Sequence, residues 1–262
     1  MNWDGLNVII TGASSGIGEK ISFEVAKKGA TPIMLARSFE KLKKIAESIQ
    51  DETGITPFTY KLDVSDEEAV KEVFQHILSD VERIDVLINN AGFAHFDLAH
   101  ESTMESVKNM FHVNVFGSIV CTQMILSHMM EQRSGHIIYI ASQAGKLATP
   151  KSSAYSATKH AILGYANSLR MELQGTNINV SVVNPGPVRT SFFATADKSG
   201  EYEKSVQRYM LTPERVALKT VELIQKPKRE VNLPGWMNIG TKIYQLFPGL
   251  VEKLAGSQLR KK

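Results

Sequence analysis

Residues 7–18 read Asn7-Val8-Ile9-Ile10-Thr11-Gly12-Ala13-Ser14-Ser15-Gly16-Ile17-Gly18, and the architecture follows from this stretch. Val8-Ile9-Ile10 is apolar at consecutive positions, which suits a strand buried on both faces of a parallel sheet. Ile17, Ile21 and Val25 then recur every four residues, the stripe of an amphipathic helix. Lys27-Lys28-Gly29 ends that helix with cations and a glycine stop. Between strand and helix, glycines let the backbone turn sharply and approach an anion. The helix start adds unpaired N–H groups and a partial positive charge. Gly12, Ser14, Ser15, Gly16, Ile17 and Gly18 are therefore candidates to cradle a phosphate.

The same alternation continues outward. Strands are predicted over Asn7–Thr11, Thr31–Ala36, Phe58–Asp63, Asp85–Asn89, His136–Ala141, Asn177–Val183 and Glu230–Leu233. Ser65-Asp66-Glu67-Glu68 reads as a capping box opening a helix to about Glu82. Longer helices are expected over Thr103–Gln132 and Ser152–Gln174, and Thr212-Pro213-Glu214 offers a cap followed by proline at the first helical position. Strands alternating with helices give an α/β fold: a single Rossmann-like, doubly wound domain over residues 1–262, with a mostly parallel sheet of about seven strands. Ser191–Leu211 is polar, has four aromatics and lacks a clean period. It reads as a mobile insertion on the substrate side with room for a helix or two.

Composition removes several classes. Over 262 residues, 43% hydrophobic and 22% charged side chains match a globular protein. Lys+Arg 30 against Asp+Glu 27 leaves +3, too little and too scattered for a nucleic-acid partner. The basic end Arg260-Lys261-Lys262 is short. One cysteine, Cys121, excludes an intrachain disulfide and a multi-cysteine metal site. The seven histidines form no ligand motif, so no metal is expected. No secretory signal or membrane-length apolar run is read in the sequence, and the expectation is a soluble cytoplasmic protein.

The glycine spacing G-x-x-x-G-x-G departs from the commoner G-x-G-x-x-G and resembles that of the short-chain dehydrogenases/reductases. Further matches follow in that family's order: Asp63, Asn89-Asn90-Ala91-Gly92, Asn114, Ser142, Tyr155-Ser156-Ala157-Thr158-Lys159, and Asn184-Pro185-Gly186 with Thr190. The close resemblance runs from about Leu6 to about Thr190. It implies that Tyr155 donates or accepts the substrate proton and that Ser142 orients the substrate. It gives Lys159 the nicotinamide ribose and the lowering of the tyrosine pKa, and Asn114 a water in a proton relay. Asp63 and Val64 would lie at the adenine, Asn90-Ala91-Gly92 along the cofactor, and Pro185, Gly186, Val188 and Thr190 on the nicotinamide side. Asn89 reads as structural. A homodimer or homotetramer is also implied.

Elementary chemistry agrees with those roles. Residues four apart share a helix face, so an ammonium at 159 can favour a phenolate at 155 and bring it toward the working pH. Ser142 follows a predicted strand, at the sheet end where ligands bind, and its hydroxyl can stabilise a developing oxyanion. Arg37 lies just past the second strand, with no carboxylate in Ala36-Arg37-Ser38. A guanidinium pairs bidentately with phosphate, and Lys41 stands one turn on, so NADP(H) is expected over NAD(H), with reduction the cellular direction.

Phe93, Phe96, Leu147, Phe192, Phe193, Met210 and Trp236 either form an apolar substrate pocket or close the core beneath loops. His95 and His100 are expected at the surface or cleft rim. Residues 234–262 depart from the family's usual ending; this extension can cover the site, meet a partner subunit or lie on a membrane surface. The function read is an NADP(H)-dependent oxidoreductase interconverting a carbonyl and a secondary alcohol. The alternatives are a 3-oxoacyl-thioester reductase, using Lys146 and Lys151 at the cleft mouth, and a non-catalytic NADP(H)-binding regulatory protein.

Overall fold

A computed structural model describes residues 3–197 and 199–259; the basic end 260–262 lies outside the described residues. Seven strands form one sheet: β1 (Asn7–Thr11), β2 (Thr31–Ala36), β3 (Phe58–Lys61), β4 (Val86–Asn89), β5 (Gly135–Ile140), β6 (Ile178–Pro185) and β7 (Glu230–Leu233). Their order is β3-β2-β1-β4-β5-β6-β7, and every neighbouring pair is parallel. The chain runs outward from β1, crosses back to β4 and runs outward again. Between β1 and β4 the helices leave the sheet in opposite directions, which opens a crevice at the strands' carboxyl ends.

The helices are α1 (Gly16–Lys27), α2 (Phe39–Thr53), α3 (Glu67–Asp80), α4 (Met104–Phe111), α5 (Ser118–Glu131), α6 (Ser153–Glu172), α7 (Phe192–Ala196), α8 (Glu201–Val206), α9 (Pro213–Gln225), α10 (Gly235–Leu246) and α11 (Pro248–Leu259). Alternation along the strands explains why both faces are apolar. Val8, Ile10, Met34 and Ile138 pack with Ile21, Val25 and Val221 on one side. Ile9, Ile33, Leu87 and Tyr139 pack with Phe74, Ile77 and Ile125 on the other. Each such side chain contributes about 1.5–3 kcal/mol by leaving water.

Local signals sit close to where the sequence puts them, with informative shifts. Asp66, not Ser65, caps α3 by accepting from Ala69 N–H at 3.1 Å; Ser65 bonds Asp63 instead. Thr212 caps α9 through Arg215 N–H. The expected helix 103–132 is broken by a π-helical turn over His112–Gly117. By length and composition the run Met104–Glu131 could cross a membrane, contrary to the sequence reading. Yet Met110, Val115, Cys121, Ile125 and Met129 are buried in the protein, so it serves as core. Ser191–Leu211 holds α7, α8 and a 3-10 turn at Gln207–Tyr209. It is anchored by a bridge from Val188 to Leu211 and by Phe96 N–H donating to Ala196 O at 2.9 Å.

Candidate active site

A cleft of about 1040 Å³ opens at the carboxyl ends of the strands. Gly12, Ser14, Ser15, Gly16 and Ile17 form one wall; Asn90, Ala91 and Gly92 run along the middle; Pro185, Gly186, Val188 and Thr190 close the far side. Gly12 and Gly16 have φ of +68° and +58°, the left-handed region glycine favours. Ser15 precedes α1 without a side-chain cap, leaving the first N–H groups of the helix directed at the cleft. A Cβ at Gly16 would sit 3.1 Å from Thr190 Cγ2, so the two walls approach closely there. This cradle fits a pyrophosphate.

Thr11, quoted with the motif but given no role, ties the cradle to the next segment. Its Oγ1 accepts from Asn90 N–H and Ala91 N–H, both at 3.0 Å. Asn90 Nδ2 donates back to Thr11 O and Gly12 O. Asn89 points into the helical layer, donating to Thr122 Oγ1 at 3.1 Å, the structural place expected for it.

Two predicted residues stand behind the wall rather than on it. Gly18 is buried against the cradle, and a Cβ there would strike the Gly12 carbonyl and lie 2.6 Å from Asn90 Nδ2. Gly18→Ala is expected to destabilise by about 1–3 kcal/mol through overpacking, at about 2–4 °C of thermal midpoint per kcal/mol; an unchanged midpoint would contradict the packing argument. Asn114, buried in the π turn, accepts from Phe93 N–H at 3.0 Å and donates to Phe93 O at 2.9 Å and Thr158 Oγ1 at 3.1 Å. It therefore fixes the Gly92–Phe93 loop to α6. The water relay implied for it involves no side-chain contact among these.

Ser142, Tyr155 and Lys159 meet at the cleft floor. Ser142 leaves β5 in extended conformation and accepts from Ala144 N–H at 3.0 Å. Tyr155 and Lys159 share a face of α6; the Lys159 ammonium lies 5.7 Å from the Tyr155 ring centroid and donates to Ile140 O at 3.1 Å. Burial pushes the Tyr155 phenol above its ordinary value, the Ser142 hydrogen bond draws it down, and Tyr202 raises it. The lowering expected from Lys159 is not found among these causes, and the shift runs the other way because desolvation penalises the phenolate. Burial pushes Lys159 itself down to about 8, which leaves the ammonium charged at neutral pH.

At the other end, Arg37, Ser38 and Lys41 line the cleft beside Asp63 and Val64. Arg37 is 74% exposed and its Nη1 lies 3.9 Å from Asp63 Oδ2. Asp63 Oδ1 accepts from Ser65 N–H and Oγ, while its Oδ2 faces Arg37. This end offers cations with little desolvation cost.

The substrate end is aromatic. Phe96 and Phe192 pack on Tyr155 with ring centroids 6.0 and 5.8 Å away, and Tyr202 lies 5.2 Å from Phe96. Phe93, Leu147, Phe193 and Trp236 also line the cleft, while Met210 does not. Tyr202 was missed because its segment carries no period. His95 and His100 also lie off the wall. Met237, Gly240 and Thr241 of α10 line it with Trp236, so the C-terminal extension covers the site. Lys146 and Lys151 form no unpaired basic patch: Lys146 Nζ is 2.7 Å from Glu230 and Lys151 Nζ 3.8 Å from Glu201. Cys121 is buried, its thiol pushed up to about 12. Among the described residues no cluster suits a metal.

Comparison with known proteins interprets this geometry. The family model for short chain dehydrogenase matches residues 6–200. The chain belongs to the short-chain dehydrogenase/reductase family. This dehydrogenase/reductase is 34% identical over 236 residues to dehydrogenase/reductase SDR family protein 7-like from Drosophila melanogaster, covering 87% of this chain and 72% of the relative. It is 32% identical to the NADP-dependent 3-hydroxy acid dehydrogenase YdfG of Salmonella typhi, covering 93% of this chain and 97% of the relative. The alcohol dehydrogenase of Thermococcus sibiricus, solved with 5-hydroxy-NADP, superposes with a TM-score of 0.79 at 28% identity, covering 87% of this chain and 95% of that one. Other similar dehydrogenase structures hold NADP, and others NAD or NADH. This dehydrogenase/reductase is thus an oxidoreductase whose cleft corresponds to a family nucleotide site.

Proposed function

We propose that the protein reduces an apolar ketone or aldehyde to the alcohol with NADPH, and catalyses the reverse oxidation. The observation that carries this is the meeting of Ser142, Tyr155 and a buried Lys159 on the floor of a cleft whose other end holds Arg37 and Lys41. Gly12 to Ile17 would hold the pyrophosphate, Asn90 to Gly92 the length of the dinucleotide, and Arg37 with Lys41 its 2′-phosphate. The bound dinucleotide supplies the hydride. Ser142 donates to the carbonyl oxygen as its negative charge grows. Tyr155 passes its phenolic proton to that oxygen, and the Lys159 ammonium favours the phenolate left behind. NADP(H) is also the cofactor named for the Salmonella relative and, as a 5-hydroxy derivative, for the Thermococcus enzyme. Phe93, Phe96, Phe192 and Phe193 favour a lipid-like, steroid-like or aromatic carbonyl.

The test is loss of NADPH absorbance across ketones, diketones, quinones, steroids and acyl thioesters, repeated with NADH. Turnover of an apolar carbonyl that prefers NADPH is the expected result. Tight NADPH binding with no turnover of any compound would point to a regulatory binder instead, and a preference for acyl thioesters would displace the apolar-carbonyl reading.

A further inference from the structure

The outer face of α10 and α11 carries an exposed apolar stripe. Trp236, Ile239, Ile243 and Leu246 recur at intervals of three and four along α10, and Leu250 and Leu254 follow on α11; all six are 46–75% exposed. Six large apolar side chains on two adjacent helices exceed the scattered exposure of ordinary surfaces. The segment is also the basic part of the chain. Residues 235–262 contain Lys242, Lys253, Arg260, Lys261 and Lys262 against the single acid Glu252, a net +4, whereas residues 1–234 sum to −1. That lone carboxylate accepts a hydrogen bond from Tyr244 Oη at 3.0 Å.

We infer that the α10–α11 face is a docking surface for an anionic lipid bilayer. Apolar side chains with lysines beside them and exposed tryptophan suit a helix lying in the interface plane. Each helix has 12 residues, too short to span a bilayer, and Pro248-Gly249 separates them, so the pair lies on the surface rather than crossing it. Trp236 and Tyr209, with ring centroids 5.9 Å apart and both more than half exposed, have the amphipathic rings that settle at headgroup level. A second copy of the chain is a poorer occupant. A two-fold contact sets a patch against itself, which would bring Lys242 and Lys253 toward their own counterparts, whereas each basic residue near an anionic leaflet strengthens binding about fivefold. Because Trp236, Met237 and Val251 also form cleft wall, docking brings the aromatic end of the cleft to the lipid boundary.

The inference is independent of turnover and is tested by co-sedimentation of the full chain with vesicles of phosphatidylcholine alone or with phosphatidylserine. Binding is expected to the phosphatidylserine vesicles, weakening with salt, and about tenfold or more weaker for Ile243→Glu/Leu246→Glu/Leu250→Glu. That variant should keep wild-type NADPH affinity, since none of the three lines the cleft. Should it fail to fold, Lys242→Glu/Lys253→Glu keeps the apolar stripe and should lose about tenfold or more of the phosphatidylserine binding. Wild-type chain left in the supernatant with both vesicle types, or variants sedimenting like wild type, would overturn the inference. So would a concentration-dependent dimer that the triple variant dissociates while vesicles bind neither form, which would make the face a self-contact.

Discussion

Tyr155→Phe lowers kcat/KM for carbonyl reduction by about 10²–10⁴-fold, the range a positioned general acid supplies. The substitution removes one oxygen and leaves the ring, so the packing of Phe96 and Phe192 against it is retained. NADPH affinity, measured by fluorescence or calorimetry, should stay within a small factor because the cradle at Gly12–Ile17 and the cations at Arg37 and Lys41 are remote from the phenol. The loss belongs in kcat, since the proton moves only as charge develops on the substrate oxygen. Burial raises the Tyr155 phenol, which suits a group that must hold its proton until an oxyanion forms beside it. Lys159, pushed down to about 8, is charged below that pH and supports the phenolate after transfer. Wild-type kcat in the Tyr155→Phe enzyme would remove Tyr155 as the proton donor.

Arg37→Glu weakens NADPH binding by about 10–100-fold, corresponding to the roughly 1.5–3 kcal/mol of hydrogen bonds to a charged group, and changes NADH affinity far less. Three effects act together. The guanidinium fork that matches a phosphate is lost, a carboxylate takes its place, and Asp63, now 3.9 Å from Arg37 Nη1, loses its cationic neighbour. Lys41 remains on the same wall, so Arg37→Glu/Lys41→Glu should extend the loss. Arg37 is mostly exposed, which places the effect nearer the lower end of the range and makes it weaken further with salt. Equal losses for NADPH and NADH would mean that Arg37 acts on the shared adenosine and not on the 2′-phosphate.

Most of the fold was legible because a parallel sheet buried on both sides announces itself as unbroken apolar runs: Val8-Ile9-Ile10 and Val86-Leu87-Ile88 needed no pairing information. Much of the cleft was legible for a related reason, since the sheet's carboxyl ends gather residues that follow strands, such as Ser142 after β5 and Arg37 after β2. The π turn was not legible, because periodicity over 104–131 does not distinguish hydrogen bonds to the fourth residue from those to the fifth. Nor was the direction of the Tyr155 shift, which depends on aromatic burial contributed by Phe96 and Phe192 from segments far apart in the chain. Lys146 read as an unpaired cation because its partner Glu230 is 84 residues away. Tyr202 belongs to a segment where no local pattern exists to read.

The hydrogen bonds that reach from Lys146 to β7 bear on how this enzyme can be recombined with its relatives. Gln143 Nε2, next to Ser142, donates to Asn184 O at 2.9 Å and toward Asn232 Oδ1 at 3.4 Å. Asn184 Nδ2 donates to Asn232 and Glu230, and Glu230 takes Lys146. The loop that holds the reactive serine is thereby latched to the strand leading into α10. A chimaera that exchanges the variable ending at Pro234 preserves that latch, because both halves of each bond stay on one parent. A junction placed a few residues earlier, before Glu230, divides the latch between parents and alters the Ser142 loop without touching a residue of the cleft floor. Modularity in this chain therefore has a boundary, and it falls where β7 ends, between Leu233 and Pro234.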